Sequence, residues 1–331
     1  MDRLTLARIG AEGVENARRN LPHLGAGRSL AALRAEKVGR GDRAVVVAAG
    51  PSLHRTAVAD QLLAQRFDGA VIATDSAMRY CLRAGIVPDL VVTLDPHAKR
   101  IVRWFGDPEL TQADLAADDY FSRQDMDRAF ADEMRANEEI LTLLDRYGKR
   151  IRLALSTSAS AAVVGRARAS GMQIYWWNPM YDDPGQPGSV TRQLQVLNRL
   201  PCVNAGGNVG AACWMMAHAV LGKKHVALTG VDFSYYADTP YRNTQYYQEA
   251  VALVGEERLD SIYIRIFNPH LGAWFYTDPA YMWYRNVFLE MVPDADCVTY
   301  NCSEGGILFG HGVHFVPLRE FLDGSAQAAG T

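Results

Sequence analysis

The most regular stretch of the chain begins at Arg43. A short apolar run without alternation, RAVVVAAG (43–50), stops at Gly50-Pro51-Ser52 and gives way to apolar residues at helical spacing over 56–67. The same change of period recurs: AVIATD (70–75) is followed by SAMRYCLRAGI (76–86), then by DLVVTLD (89–95). Continuous Val- and Ile-rich runs of this length suit strands buried on both faces, and helices between them imply parallel pairing through right-handed crossovers. KRIRLALSTS (149–158) and KKHVALTGVDFS (223–234) continue the series, the latter after the helix-like GNVGAACWMMAHAVLG (207–222). The predicted class is α/β, a mostly parallel sheet flanked by helices.

Outside this core the pattern changes. Residues 1–38 read as helical with a break near Pro22 and Gly25–Gly27; Leu30, Leu33 and Val38 give the second piece an apolar face. Residues 107–150 interrupt the alternation with a charged helical stretch, 127–148. After Tyr235 come a Tyr-rich polar segment, an aromatic-heavy strand and helix over 263–292, and a last short strand, CVTYNCS (297–303). The expected organisation is a helical N-terminal arm (1–40), a core (41–235) with a helical insertion (about 107–150), and a C-terminal extension (236–331) packing on the core.

Composition narrows the class. The chain has 331 residues, 49% apolar and 21% charged, enough for a sizeable core. A net charge of −3 argues against a nucleic-acid or polybasic membrane binder, while leaving room for a local basic pocket. The five cysteines, Cys81, Cys202, Cys213, Cys297 and Cys302, are odd in number and lack the short paired spacing of a zinc site. They read as small reduced core residues, which fits a cytoplasmic location. The N-terminus lacks the apolar stretch of a signal peptide, and no segment approaches the ~18 apolar residues of a membrane span.

The strand ends carry the chemistry. In an open parallel sheet, ligands lie beyond the carboxyl ends of the strands, where helix N-termini present free N–H groups. Gly50 permits close backbone approach, Pro51 suits a helix entry, Ser52 caps or donates to a phosphate oxygen, and Leu53 follows in the same turn: a strand-to-helix turn built as a phosphate cradle. An ordinary Gly-Pro turn is the alternative. The later strands end in Asp75-Ser76, Asp95, Ser156-Thr157-Ser158 and Asp232. One such residue is usually a helix cap; polar tips on one edge in series point to a cleft.

Several ordered blocks resemble the 6-hydroxymethylpterin pyrophosphokinase (MptE)-like family, of the bacterial motility accessory factor type: NLPHL (20–24) before VVVAAGPSL (45–53), residues 72–96, DDYFSRQ (118–124), residues 206–235 and YNCSEGGILFGHG (300–312). The resemblance implies a Rossmann-like core, similar to that of a sialyltransferase family using CMP-sugars. It implies transferase activity of one of two kinds. Archaeal members transfer pyrophosphate from ATP to a hydroxymethyl-dihydropterin with Mg²⁺; motility accessory factors are implicated in glycosylating flagellin with nonulosonic acids. The expected partners are a nucleotide donor and a protein acceptor, flagellin-like, or a glycan acceptor. A non-catalytic nucleotide-binding module is the third reading. The chain departs from the sialyltransferase pattern twice: Ala48-Ala49-Gly50 replaces a turn with Asn between glycines, and Asp75 stands where Asn follows the second strand. At ~4 Å and an effective dielectric of about 20, a carboxylate beside a phosphate costs about 4 kcal/mol. Asp75 must then face away, bind a ribose hydroxyl, or hold Mg²⁺ with Asp95.

The remaining candidates follow from these blocks. Gly206, Gly207 and Asn208 offer N–H groups before a long helix. Asp232 is a candidate base or orienter of an acceptor hydroxyl. Glu304, Gly305 and Gly306 form a flexible turn that closes the cleft, with Glu304 a catalytic candidate. Among His97, His270, His311 and His314, His311 is the favoured base or phosphate donor. Tyr235, Tyr236 and Tyr241 line an acceptor pocket or pack as aromatic core; Lys99, Arg100 and Arg192 face phosphate or solvent. Asp89, after Pro88, fixes a turn.

Overall fold

The structure, a computed structural model, describes residues 2–118 and 132–328. Most of the block at 118–124 and the start of the predicted helix at 127–148 fall outside the described residues. The main sheet contains β1 (Arg28–Ser29), β2 (Arg43–Val47), β3 (Ala70–Thr74), β4 (Leu90–Thr93), β5 (Arg152–Ser156), β6 (Gln173–Pro179), β7 (Cys202–Val203), β8 (His225–Thr229), β12 (Val298–Asn301) and β13 (Val313–Phe315). Their order is β1-β6-β5-β4-β3-β2-β8-β12-β13, with β7 also paired to β6. Every strand pair in it is parallel. A second sheet, antiparallel, orders β10 (Ile264–Asn268), β11 (Ala273–Thr277) and β9 (Tyr235–Tyr236) as β10-β11-β9.

The unalternating runs form strands because both faces are covered. Val45 and Val47 of β2 point into one layer with Leu53, Val58, Met78, Ile140 and Val163; Ala44 and Val46 point into the other with Ala211, Trp214 and Phe288. Helices 52–55, 58–64, 75–83, 133–147 and 161–169 cover the first face, and residues 30–35, 209–220 and 279–291 the second. This is the Rossmann-like α/β arrangement expected.

Three features were not anticipated. β6 is a full seven-residue strand. Its Tyr-Trp-Trp run lacks the β-branched signature of its neighbours, yet Tyr175, Trp176 and Trp177 are all buried. The aromatic segment after Tyr263 is a hairpin, β10–β11, before helix 279–291. β12 and β13 come from residues beyond 236 and extend the main sheet directly from β8. No described helix is long and apolar enough to cross a membrane.

The chain moves outward from β2 through β3, β4 and β5 to β6, then returns to the far side of β2 as β8. The strand order therefore reverses between β2 and β8. Doubly wound sheets bind their ligands beyond the carboxyl ends of the strands at such a reversal.

Candidate functional site at the carboxyl rim

Gly50, Asp75, Asp95 and Asp232 follow the ends of four adjacent strands, β2, β3, β4 and β8, on one edge. At the reversal the two connections touch: Gly50 N–H donates to Gly230 O at 2.8 Å, and Ser52 N–H donates to Asp232 Oδ2 at 2.7 Å. A Cβ on residue 50 would lie 2.4 Å from Gly230 O and 2.5 Å from Asp232 Oδ2, so only glycine allows this approach. The helix-start amide of Ser52 thus already serves an anion, the chain's own Asp232. Leu53 is 1% exposed and belongs to the core, not to a ligand surface. Pro51 sits at the helix entry, as expected.

Asp232 is the most constrained carboxyl of the rim. It is 2% exposed; Oδ2 is held by Ser52, while Oδ1 has no hydrogen-bond partner among the described residues. The hydroxyls of Ser52 and Ser234 are likewise buried without a partner. Burial pushes the Asp232 carboxyl up to about 6, against the opposing pull of Ser52 and the Arg55 charge. At neutral pH it is mainly ionised, a buried carboxylate with one oxygen committed.

The turn 303–306 closes over this group. Ile307 N–H donates to Asp232 O at 2.9 Å, and Ser303 Oγ accepts from Val231 N–H at 3.2 Å. A Cβ on Gly305 would meet Tyr236 OH at 2.6 Å and Ser52 Cβ at 2.9 Å; Gly306 has φ +74° and the Asp232 backbone against it. Three side chains fix the turn from outside. Asn268 Nδ2 donates to Gly306 O, Arg285 donates to Ile307 O and Phe309 O, and Asn301 Nδ2 donates to Leu308 O. Asn268 and Arg285 are remote in sequence and carry no local signal, so sequence reasoning passed over them. Tyr236 also joins this group, with the Arg55 guanidinium 3.7 Å above its ring.

The β3–β4 tips form the second part of the rim. Asp75 is 5% exposed and begins helix 75–83, its Oδ1 accepting from Ser76 N–H at 2.7 Å; Ser76 Oγ lies 3.0 Å from Thr74 Oγ1. Burial, reinforced by the Asp95 charge, raises Asp75 to about 7 against the pull of the Thr93 hydroxyl and the Ser76 amide. A carboxyl partly protonated at neutral pH is a hydrogen-bond donor as well as an acceptor, which lessens the like-charge conflict anticipated above. Asp95 is exposed, its Oδ1 accepting from His97 N–H at 2.8 Å. Its charge also raises Tyr284, whose main perturbation is burial. Among the described residues no group of three or more His, Cys, Asp or Glu is arranged to hold a metal. Two carboxylates suit Mg²⁺ only with water and phosphate oxygens completing its shell.

Other expected residues are placed elsewhere. His311 is exposed and precedes β13, whose first residue pairs with Thr299 near the start of β12. It therefore lies at the amino edge of the sheet, away from the rim. Glu304 turns outward: its Oε1 accepts from Leu318 N–H at 3.2 Å, at the start of helix 318–323. Ser156, Thr157 and Ser158 are fully buried. The arm closes over them, Asn20 Nδ2 donating to Thr157 O and Ala159 O, and Asn16 Nδ2 to Ser158 O and Pro96 O. Thr157 Oγ1 is spent on Asn178. Asn208 caps its own helix, Oδ1 accepting from Ala211 N–H, and Gly206 and Gly207 lie against Met291 and Trp283. His97 caps helix 98–102 through Nδ1, His270 stacks on Phe315, and His314 packs by Tyr300. Tyr235 and Tyr241 belong to a satellite aromatic core with Tyr263 and Tyr276. Arg100 pairs with Asp118 at 3.2 Å, while Lys99 and Arg192 are exposed. Asp89 accepts from Val71 N–H, fixing its turn. A cavity bounded by Arg79, Arg103, Glu133 and Asn137 includes none of the rim residues.

Fold and rim together define a doubly wound α/β protein with buried polar groups clustered at its strand-order reversal. Residues 15–111, which span β2 to β4, match the family model described as 6-hydroxymethylpterin diphosphokinase MptE-like, so the resemblance read in the sequence holds there. The fold is similar to that of the MAf glycosyltransferase from Magnetospirillum magneticum AMB-1, with a TM-score of 0.51 at 14% identity. The match covers 97% of this chain and 41% of that one, so the chain spans about two fifths of that protein's length. No curated protein matches the chain.

Proposed function

We propose that this protein is a nucleotide-sugar-dependent glycosyltransferase of the motility accessory type, transferring a nonulosonic sugar from a CMP-donor to a flagellin-like acceptor. The observation that carries the reading is Asp232: a buried carboxylate at the strand-order reversal, with Oδ2 fixed by Ser52 and Oδ1 unpartnered. The fold likeness to a Maf glycosyltransferase supports it. In direct displacement, Asp232 Oδ1 takes the proton of the acceptor hydroxyl once the Gly305-Gly306 turn that covers it is displaced. The acceptor oxygen bonds to the anomeric carbon, and the bond to the phosphate oxygen breaks with its electron pair, releasing CMP. Asp75 and Ser76 bind donor oxygens.

The test is transfer from a CMP-nonulosonate to flagellin by the purified full-length protein, with Asp232→Asn alongside. The expected loss is about 10²–10⁴-fold in kcat. Because Asp232 must be ionised, the wild-type rate should rise as pH increases through about 6 and level off above it. Absence of both donor binding and transfer would remove this reading.

A second reading is a Mg²⁺-dependent 6-hydroxymethyl-dihydropterin pyrophosphokinase. The family description over 15–111 and the electrostatic coupling of Asp75 to Asp95 favour it. Bound Mg²⁺ would neutralise phosphate charge there, with Asp75 and Asp95 holding it. AMP release from ATP, lost in Asp95→Asn, would support this reading; binding of CMP or ATP without turnover would instead indicate a non-catalytic module.

A further inference from the structure

β10 is the outer strand of the antiparallel sheet, paired on one side only, from Ile264 opposite Thr277 to Asn268 opposite Ala273. Among the described residues, no backbone group of Ile264–Phe267 forms a hydrogen bond outside that ladder. An open edge is ordinarily protected by proline, charged side chains, a bulge or a covering segment. The β10 sequence, Ile-Arg-Ile-Phe-Asn, has no proline and a single charged residue, Arg265. Ile264 and Phe267 are 50% and 44% exposed, and Trp274, opposite Phe267, is 57% exposed, the two rings 5.3 Å apart.

The edge is joined to the rim. Asn268, the last residue of β10, is fully buried and donates to Gly306 O at 2.8 Å; the next residue, Ile307, donates to Asp232 O. We propose that β10 is the acceptor's docking edge, to which an extended polypeptide segment adds as a further strand. A row of alternating N–H and C=O groups is matched by another backbone in extended conformation, and the Phe267–Trp274 pair seats an apolar side chain of that segment. A segment continuing past Asn268 runs toward the Gly305-Gly306 turn that covers Asp232. This inference rests on the glycosyltransferase reading, and specifically on a polypeptide acceptor.

The test uses the full-length protein with a photoreactive benzophenone amino acid at position 267, and monomeric flagellin as the probe. A control preparation carries the group at position 253, where Leu253 is 69% exposed on helix 247–254. Cross-links at 267 to one hydroxyl-bearing segment of flagellin, with few at 253, are expected. Ile264→Lys should weaken the cross-link and raise KM for flagellin at least tenfold, with kcat and CMP-sugar binding unchanged. Equal yields at both positions, cross-links between two copies of this chain, or none at 267 would each overturn the proposal. Donor binding and transfer that persist without a cross-link at 267 would reject the docking edge alone, whereas failure to bind CMP-nonulosonate would reject the glycosyltransferase reading.

Discussion

Asp75→Asn separates what the rim requires from what the fold prefers. The carboxyl is 5% exposed, and burial raises it from 3.8 to about 7. In an unfolded chain it titrates near the ordinary value, so the native state holds this proton more tightly. Below about pH 3 both states are protonated and the residue carries no penalty. As pH rises toward 7, the unfolded chain ionises while the native one resists, and native stability falls. Above pH 7 the full cost applies, at most ~4 kcal/mol for this displacement and about 2 kcal/mol once local relaxation is allowed. Asparagine keeps the oxygen that accepts from Ser76 N–H and removes the charge. Urea unfolding of both proteins at pH 4.5 and pH 8 provides the assay. The variant should be nearly as stable as wild type at pH 4.5 and more stable by about 2 kcal/mol at pH 8. Such a gain on removing a site residue is the stability cost that functional groups commonly carry. An equal effect at both pH values, or a less stable variant at pH 8, would refute the claim that burial of charge dominates Asp75.

Three further outcomes follow from the geometry. Gly50→Ala pushes its methyl into Gly230 O and the Asp232 carboxylate, both within 2.5 Å of the Cβ position, so a loss of about 1–3 kcal/mol is expected in thermal unfolding together with loss of transfer. Asn16→Ala with Asn20→Ala strips partners from the carbonyls of Pro96, Thr157, Ser158 and Ala159; limited proteolysis should then cut the arm at least tenfold faster, with about 2–4 kcal/mol of stability lost. His311→Ala should leave transfer kinetics within twofold of wild type, because the ring is exposed at the amino edge; a tenfold loss of kcat would contradict that placement.

The sequence by itself determined the local elements and the chemistry at their tips. Unalternating runs such as 43–50 and 70–75 permit few alternatives to a strand covered on both faces, and a parallel sheet places all such ends on one edge. Gly50, Asp75, Asp95 and Asp232 were therefore legible as rim residues. What the side chains do there was decided by contacts between distant segments. Asp232 occupies the helix start 180 residues away in sequence because β8 returns beside β2. Ser156–Ser158 have the same composition as a ligand-binding tip, but Asn16 and Asn20 cover them. Glu304 and His311 lie within one turn-rich block, yet the path into β13 carries one to a helix cap and the other to the opposite edge. Strand and turn signals arise from neighbours in the chain; strand order and burial arise from packing across it, so only the tertiary structure separates a rim residue from a buried cap.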